Sequence, residues 1–310
     1  MESPEVTVCI PVLNNVEGCK ALIADWYRLH DPSMFRILVL DQTKEGIIFD
    51  EKSLVHLHIR PQRSLGWSKA VNIMWKLAGT PYTLLANDDV RLLDTRWYED
   101  AKAHLKEDVL AVNPFPALRT WDGGGTPRWY WEIHGEEKWG WTKDKPIESY
   151  TPEDYDRLKK LLWGGDSGGT TFFYTLFRTE ARELVGLIDE AYPINGSDYD
   201  YNRRIFLTCV NCQKRKYEHL GELFKCAEES STYFKPYRIL TCTHSLVQHE
   251  CGVTKQNLAK SKELDGYQLI AQSKNIFNEK WKSEDCKNPD IYGRNASIKP
   301  NLPWVTEQPL

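Results

Sequence analysis

No stretch of this 310-residue chain approaches the ~20 consecutive apolar residues that a membrane-spanning helix requires. An apolar leader is missing too. "MESPEVTVCIPVLNN" enters a strand-like run almost at once, which predicts a soluble protein without a signal peptide, at work in the cytoplasm. In that compartment the eight cysteines are expected as reduced thiols, and the sequons at Asn195 and Asn295 are irrelevant. Neither sign of charge dominates. A net charge of −4 argues against a protein that coats duplex DNA by neutralising phosphates, although a local basic patch stays open. Internal repeats are absent. With 41% hydrophobic and 27% charged residues, the composition is that of an ordinary globular protein, one large domain with a tail or two smaller domains.

What is present is an alternation of strands and helices. "EVTVCIPVL" (5–13) and "FRILVLDQT" (35–43) read as strands buried on both faces. Between them "NNVEGCKALIADWYRLH" carries apolar residues at helical spacing, with Asn14 or Asn15 as N-cap. "LVHLHIRP" is a third strand, "GWSKAVNIMWKLAGTP" a helix closed by Gly79 and Pro81, and "YTLLANDD" a fourth strand. This order predicts an α/β domain whose sheet is mostly parallel and flanked by helices. Ligands of such sheets sit beyond the carboxyl ends of the strands, which collects Asn14, Asn15, Asp41, Arg60 and Asn87 to Asp89 at one edge.

The segment "LLANDDVRLL" poses the sharpest question, because a buried strand ends in two adjacent carboxylates. Asn and Asp favour turns, so an exposed turn is one reading. Hard oxygen ligands at a strand's carboxyl end equally suit Mg²⁺ or Mn²⁺, which is the other. In "NGSDYDYNRR", Asp198 reads either as the N-cap of a helix or as a general base held at a helix start near Arg203 and Arg204. His249, in "VQHECGVT", ends an apolar run and is either a structural histidine or a ligand acting with distant carboxylates.

Taken together these pieces resemble GT-A glycosyltransferases, most closely the inverting family 2 group. "VTVCIPVLNN" is similar to the opening strand and nucleotide loop, "LVLDQT" to the second strand, and "RSLGWSKAVNIMWKLAGTPYTLLANDDV" to the Gly-containing helix and DXD motif. "GGTTFFYTLFRTEARELVGLIDE" resembles the strand and helix beneath the acceptor site, "SDYDYNRRI" the segment carrying the base, and "HECGVT" the C-terminal metal histidine. "NIFNEKW" is similar to a terminal helix of these enzymes. The resemblance implies a GT-A, Rossmann-like fold and an inverting, metal-dependent sugar transferase. Its cofactors would be Mn²⁺ or Mg²⁺, held by Asp89 and His249, and a UDP-, GDP- or dTDP-sugar. Nucleotide-sugar contacts are implied for Pro11, Leu13, Asn14, Asn15, Asp41 and Arg60. Gly66, Trp67, Asn72, Asn87, Asp88 and Arg204 join them on the same grounds. Asp198 and Asp200 would be the catalytic carboxylates, Asp198 matching the position of the base. The DXD is Asn-Asp-Asp, and Ser197 stands where an acid commonly precedes the base.

The domain is expected over residues 1–254, with a Trp-rich excursion at about 119–165 and a helical extension at 255–310. Five tryptophans of that excursion, Trp129, Trp131 and Trp139 among them, read as packing residues or as a platform for an acceptor. Gly169 and Thr170 are further acceptor candidates by resemblance. The acceptor is expected to be a glycan or lipid-linked glycan. Alternatives are a hydroxymethylated base in DNA, flipped onto the tryptophans with Lys214, Arg215 and Lys216 nearby, or an inactive sugar-binding module. Cys209 and Cys212, with His219 and Cys226 downstream, have one zinc-like Cys-x2-Cys pair but no second. A sugar nucleotidyltransferase is disfavoured, because "PVLNNVEGCK" lacks the Gly-rich, Arg-containing loop that would follow its first strand.

Overall fold

The computed structural model describes residues 3–50, 55–92, 95–118, 165–166, 172–192, 196–206, 208, 210, 237–249 and 266–280. The Trp-rich excursion, Gly169, Thr170, the Lys214–Lys216 run and the Cys209, Cys212, His219 and Cys226 set lie outside the described residues.

The chain opens with β1 (Val6–Val12), α1 (Val16–Leu29), a 3₁₀ turn (Pro32–Met34) and β2 (Phe35–Asp41). It continues through β3 (Leu57–Ile59), α2 (Trp67–Leu77), β4 (Tyr82–Ala86), β5 (Val90–Leu92) and α3 (Trp97–His104). β6 (Val109–Leu118), β7 (Gly165–Asp166), β8 (Tyr174–Arg178), α4 (Ala181–Leu184), α5 (Ser197–Phe206), β9 (Arg238–His249) and α6 (Gly266–Lys280) follow. The strands form one sheet in the order β3-β2-β1-β4-β8-β6-β9-β5, with β7 on β9. β1, β2, β3, β4, β6 and β9 run one way, whereas β5, β7 and β8 run the other.

The two faces of β1 show why the sheet needs helices on both sides. Val6, Val8, Ile10 and Val12 point to one face and Cys9 to the other, following the two-residue period of a strand. The first face is covered by α1 through Cys19, Leu22, Ile23 and Trp26. The second is covered by α2 through Ala70, Val71, Met74 and Trp75. Both sets fall at helical spacing, so each helix buries a single stripe. Trp26 and Trp75 are fully buried, and truncating either to Ala would cost about 3–5 kcal/mol.

The helix ends follow from local chemistry. Asn15 caps α1, its Oδ1 accepting from the Gly18 N–H at 3.2 Å. α2 starts at Gly66 with φ +77, a left-handed conformation that favours glycine, and stops at Ala78 before Gly79 and Pro81.

α1 carries the chain from β1 outward to β2, while α2 carries it back from β3 to β4 across the opposite face. The direction of winding therefore reverses between β1 and β4. At such a switch point the loops diverge and leave a crevice at the carboxyl ends of the strands. The β1–β4 ladder ends at Cys9 opposite Leu85, so Pro11, which has no N–H to donate, lies past its last pair.

Among the described residues, no helix is long and apolar enough to cross a membrane, and Cys9 and Cys19 are free, buried thiols that burial pushes up in pKa.

An aromatic cluster gives the fold a titratable weak point. His30 is packed among Trp26, Trp97 and Tyr98, and its Nε2 accepts from Trp97 Nε1 at 2.9 Å. Burial lowers its pKa from 6.5 to about 4. The folded state thus resists a proton that the unfolded state takes up below pH 6.5, so this contribution to stability is complete above pH 6.5 and falls away toward pH 4. Burial and the Arg36 charge lower His56 as well, which adds to the same slope. Urea unfolding of wild type and His30→Gln at pH 7.0, 5.5 and 4.5 isolates the His30 share. The loss of stability on acidification should be smaller in the variant, and equal slopes would remove His30 as the cause.

Candidate active site at the crevice between β1 and β4

Four segments meet at this crevice: the β1–α1 loop, the first turn of α2, the β4–β5 turn and the end of β9. The β4–β5 turn is locked to the first. Asn15 Nδ2 donates to the Asp88 carbonyl at 2.9 Å, and a Cβ on Gly18 would stand only 2.1 Å from that same oxygen. Asp88 itself is turned inward, 4% exposed, toward the Leu13 N–H. Burial, then the neighbouring Asp89 charge, raises its carboxyl well above the usual range, against the pull of the Leu13 N–H and Asn15.

Asp89 is oriented differently. β5 pairs antiparallel with β9, Val90 opposite His249, and this register brings His249 Nε2 to 3.3 Å from Asp89 Oδ1. The imidazole is stacked on Phe173, with centroids 4.4 Å apart and planes within 7°. Phe173 in turn accepts the Asn87 N–H on its carbonyl at 2.7 Å. Asp89 Oδ1 is buried yet accepts no hydrogen bond. A buried carboxylate oxygen left in that state is costly unless a cation meets it. A gap of 3.3 Å between an oxygen and a nitrogen donor also suits neighbouring ligands of one cation with bonds of about 2.1–2.2 Å. The residues present therefore fit a divalent metal. Among the described residues no cluster of three or more His, Cys, Asp or Glu forms, so these two side chains are the protein donors that can be named.

α2 links this end of the crevice to the start of α5. Trp67 Nε1 donates to Asn87 Oδ1 at 3.1 Å. One residue on, Ser68 Oγ donates to the Tyr192 carbonyl at 3.5 Å. Asn72 clamps the same loop, donating to the Ile188 carbonyl at 2.7 Å and to Glu190 at 3.0 Å while accepting the Ile188 N–H at 3.0 Å. Past that loop comes Asp198, half-buried in the first turn of α5.

Several residues expected at the ligand are engaged inside the fold instead. Asp200 is fully buried, with Lys280 Nζ 2.9 Å from Oδ1 and Arg204 Nε 3.0 Å from Oδ2, so it braces α5 rather than facing a substrate. Arg204 also donates to the Val185 carbonyl and lies 4.7 Å over the Tyr201 ring, which fixes it in the core instead of at a nucleotide. Asn72, only 2% exposed, is a loop clamp as described. Asp41 is buried, and burial pushes its carboxyl up, but donors from Thr43, Ile47 and His58 outweigh this and leave it below the usual range. Its oxygens close the 41–47 loop. Arg60 is exposed, its guanidinium against Gly46 (φ +83) and bonded to the Lys44 carbonyl at 2.8 Å. Leu13, Asn14, Asn15, Gly66, Trp67 and Asn87 remain half-buried along the crevice.

Phe173, Gly18 and Lys280 were not singled out from the sequence. Only Gly18 left a trace, as a glycine in the first turn of a helix, where it costs stability unless a close approach demands it.

No family profile and no curated protein matches the chain. Many solved structures are similar to it, among them two Mn²⁺-containing complexes. One is the mannosyltransferase PcManGT from Pyrobaculum calidifontis in complex with GDP-Man and Mn²⁺, at 14% identity and TM-score 0.50, over 95% of this chain and 70% of that one. The chain has the GT-A fold. The other is GalNAc-T7 with UDP, GalNAc and Mn²⁺, also at 14% identity and TM-score 0.50, over 80% of this chain and 44% of that one. At this identity the likeness is one of fold.

The contact at Gly18 gives a direct test. Gly18→Ala must push the Asp88 carbonyl or the Asn15 side chain aside, at a cost of about 1–3 kcal/mol by urea unfolding. A variant as stable as wild type would show that the turn is not held there.

Proposed function

We propose that this chain is a metal-dependent glycosyltransferase that moves a sugar from a nucleotide-sugar donor to an acceptor hydroxyl with inversion. The observation that carries this reading is the pairing of Asp89 with His249, a buried carboxylate oxygen without a hydrogen bond beside an imidazole nitrogen, at the switch-point crevice of a GT-A fold. The presence of Mn²⁺ with GDP-Man or UDP in the two similar structures supports the ligand class.

In this reading Asp89 and His249 are the side chains that would hold Mn²⁺ or Mg²⁺. Bound there, the cation supplies Lewis-acid charge against the negative charge that grows on the leaving nucleoside diphosphate. Asn14, Asn15 and Gly66 line the donor side, and Trp67 fixes the amide of Asn87 toward it. Asp198 accepts the proton of the acceptor hydroxyl as that oxygen attacks the anomeric carbon from the face opposite the leaving group. Holding donor and acceptor together in one crevice adds the orientational part of the rate. The acceptor is a glycan or lipid-linked glycan.

The test is a panel of UDP-, GDP- and dTDP-sugars assayed for turnover with Mn²⁺ and with EDTA. Wild type should turn over one donor class only with metal. Asp89→Asn should reduce kcat/KM by about 100-fold or more. Asp198→Asn should keep donor affinity and reduce kcat by about 10²–10⁴-fold. Turnover that ignores both EDTA and the Asp89 substitution would sink the metal-dependent reading.

A further inference from the structure

The described C-terminal helix, α6, is anchored at the start of α5. Lys280, its last residue, is 4% exposed, with Nζ 2.6 Å from Asp189 Oδ2 and 2.9 Å from Asp200 Oδ1. One ammonium thus bridges two carboxylates from separate segments, the loop clamped by α2 and the first turns of α5. Arg204 takes the other oxygen of Asp200 at 3.0 Å. Two more contacts seat α6 on the same place. The Arg203 guanidinium lies 5.9 Å over the Phe277 ring. A Cβ on Gly196, whose φ is +92, would lie 3.8 Å from the Ser273 carbonyl oxygen. Asp198 shares the first turn of α5 with this anchorage, two residues before Asp200, and the Asp200 N–H closes that turn on the Gly196 carbonyl at 2.9 Å.

We propose that Lys280 is a positioning residue for Asp198, so that α6 belongs to the acceptor side of the site. The role assigned to Asp198 rests on the function proposed above; the anchoring of α5 does not. The physical reason is charge. Without the ammonium, Asp189 and the buried Asp200 are left as like charges on either side of its place, and they push the loop and the start of α5 apart. A helix moves as a rigid element, so a displaced Asp200 carries Asp198 with it. Arg at position 280 keeps the charge and enough donors for two carboxylates, whereas Met keeps only the length.

The experiment compares full-length wild type, Lys280→Met and Lys280→Arg by two readouts. The first is hydrogen exchange of the α5 amides, Asp200 N–H above all, which needs no ligand. Exchange should quicken at least tenfold in Lys280→Met and stay within threefold of wild type in Lys280→Arg. The second is kinetic, with UDP and GDP plus Mn²⁺ as binding probes and the active nucleotide sugar as substrate. Lys280→Met should lose at least tenfold in kcat with nucleotide affinity within twofold, Lys280→Arg should recover most of it, and adding Lys280→Met to Asp198→Asn should cost nothing further. Unchanged exchange in Lys280→Met overturns the proposal whatever the chain's activity. So does a kcat loss that simply adds to that of Asp198→Asn. If wild type binds neither nucleotide and hydrolyses no donor, the glycosyltransferase reading fails, and the exchange data still decide whether Lys280 anchors α5. Should Lys280→Met not fold, Lys280→Arg carries the test: quickened α5 exchange, or a kcat loss as large as that of Asp198→Asn, overturns the proposal.

Discussion

The candidate site depends on one short antiparallel pairing, the three rungs of β5 on the end of β9 with Val90 opposite His249. Asp89 and His249 are far apart in the chain and meet only because this register holds. Three rungs are a weak ladder by themselves. What fixes β5 is a buried carboxylate on α1: Asp25, 2% exposed, takes Arg91 Nε at 2.7 Å, Arg91 Nη2 at 3.1 Å and the Leu92 N–H at 3.0 Å, with Arg28 beside it. A two-pronged guanidinium grip of this kind fixes orientation as well as distance. Sliding the register by one residue would turn the His249 side chain to the other face of the sheet. The α1 clamp therefore supports the metal candidate without touching it.

The adjacent carboxylates at the end of β4 divide their roles by direction. Asp88 turns into the fold toward the Leu13 N–H, while Asn15 and Gly18 close around its carbonyl, so it fixes the turn. Asp89 turns toward His249 with one oxygen that no donor satisfies. The first arrangement makes the second possible, because a turn held at its backbone can point a carboxylate at a costly place. The same logic recurs at α5, where Asp200 is sealed by Lys280 and Arg204 while Asp198 stays half-buried at the edge. In both places a structural acid two residues or fewer from a candidate functional acid supplies the rigidity.

Much of this was legible beforehand because it rests on local pattern. The strand-helix order of residues 5–89 follows from side-chain period, and the rule for strand ends places Asn14, Asn15, Asp41, Arg60 and Asn87 to Asp89 at one edge from the sequence alone. The resemblance of "NDDV" and "HECGVT" to GT-A motifs pointed to Asp89 and His249, which the fold brings to 3.3 Å. Asp41, Asn72, Asp200 and Arg204 make their contacts inside the fold, and for Asp200 and Arg204 the resemblance also implies holding the loop that carries the base. A polar residue at the rim of a binding crevice and one that braces the crevice from behind sit at the same sequence position, and only the direction of the side chain separates them.

The sequence by itself determined the α/β class, the places where strands end, and which residue types stand at those ends, because periodicity and turn chemistry act over a few residues. Tertiary structure alone decided that Asp88 turns toward the Leu13 N–H, that Phe173 backs the imidazole of His249, and that a lysine at position 280 sits between Asp189 and Asp200. Those facts depend on strand register, on helix rotation and on contacts between segments distant in the chain. No short-range pattern encodes such contacts, since each exists only once the whole sheet has been assembled.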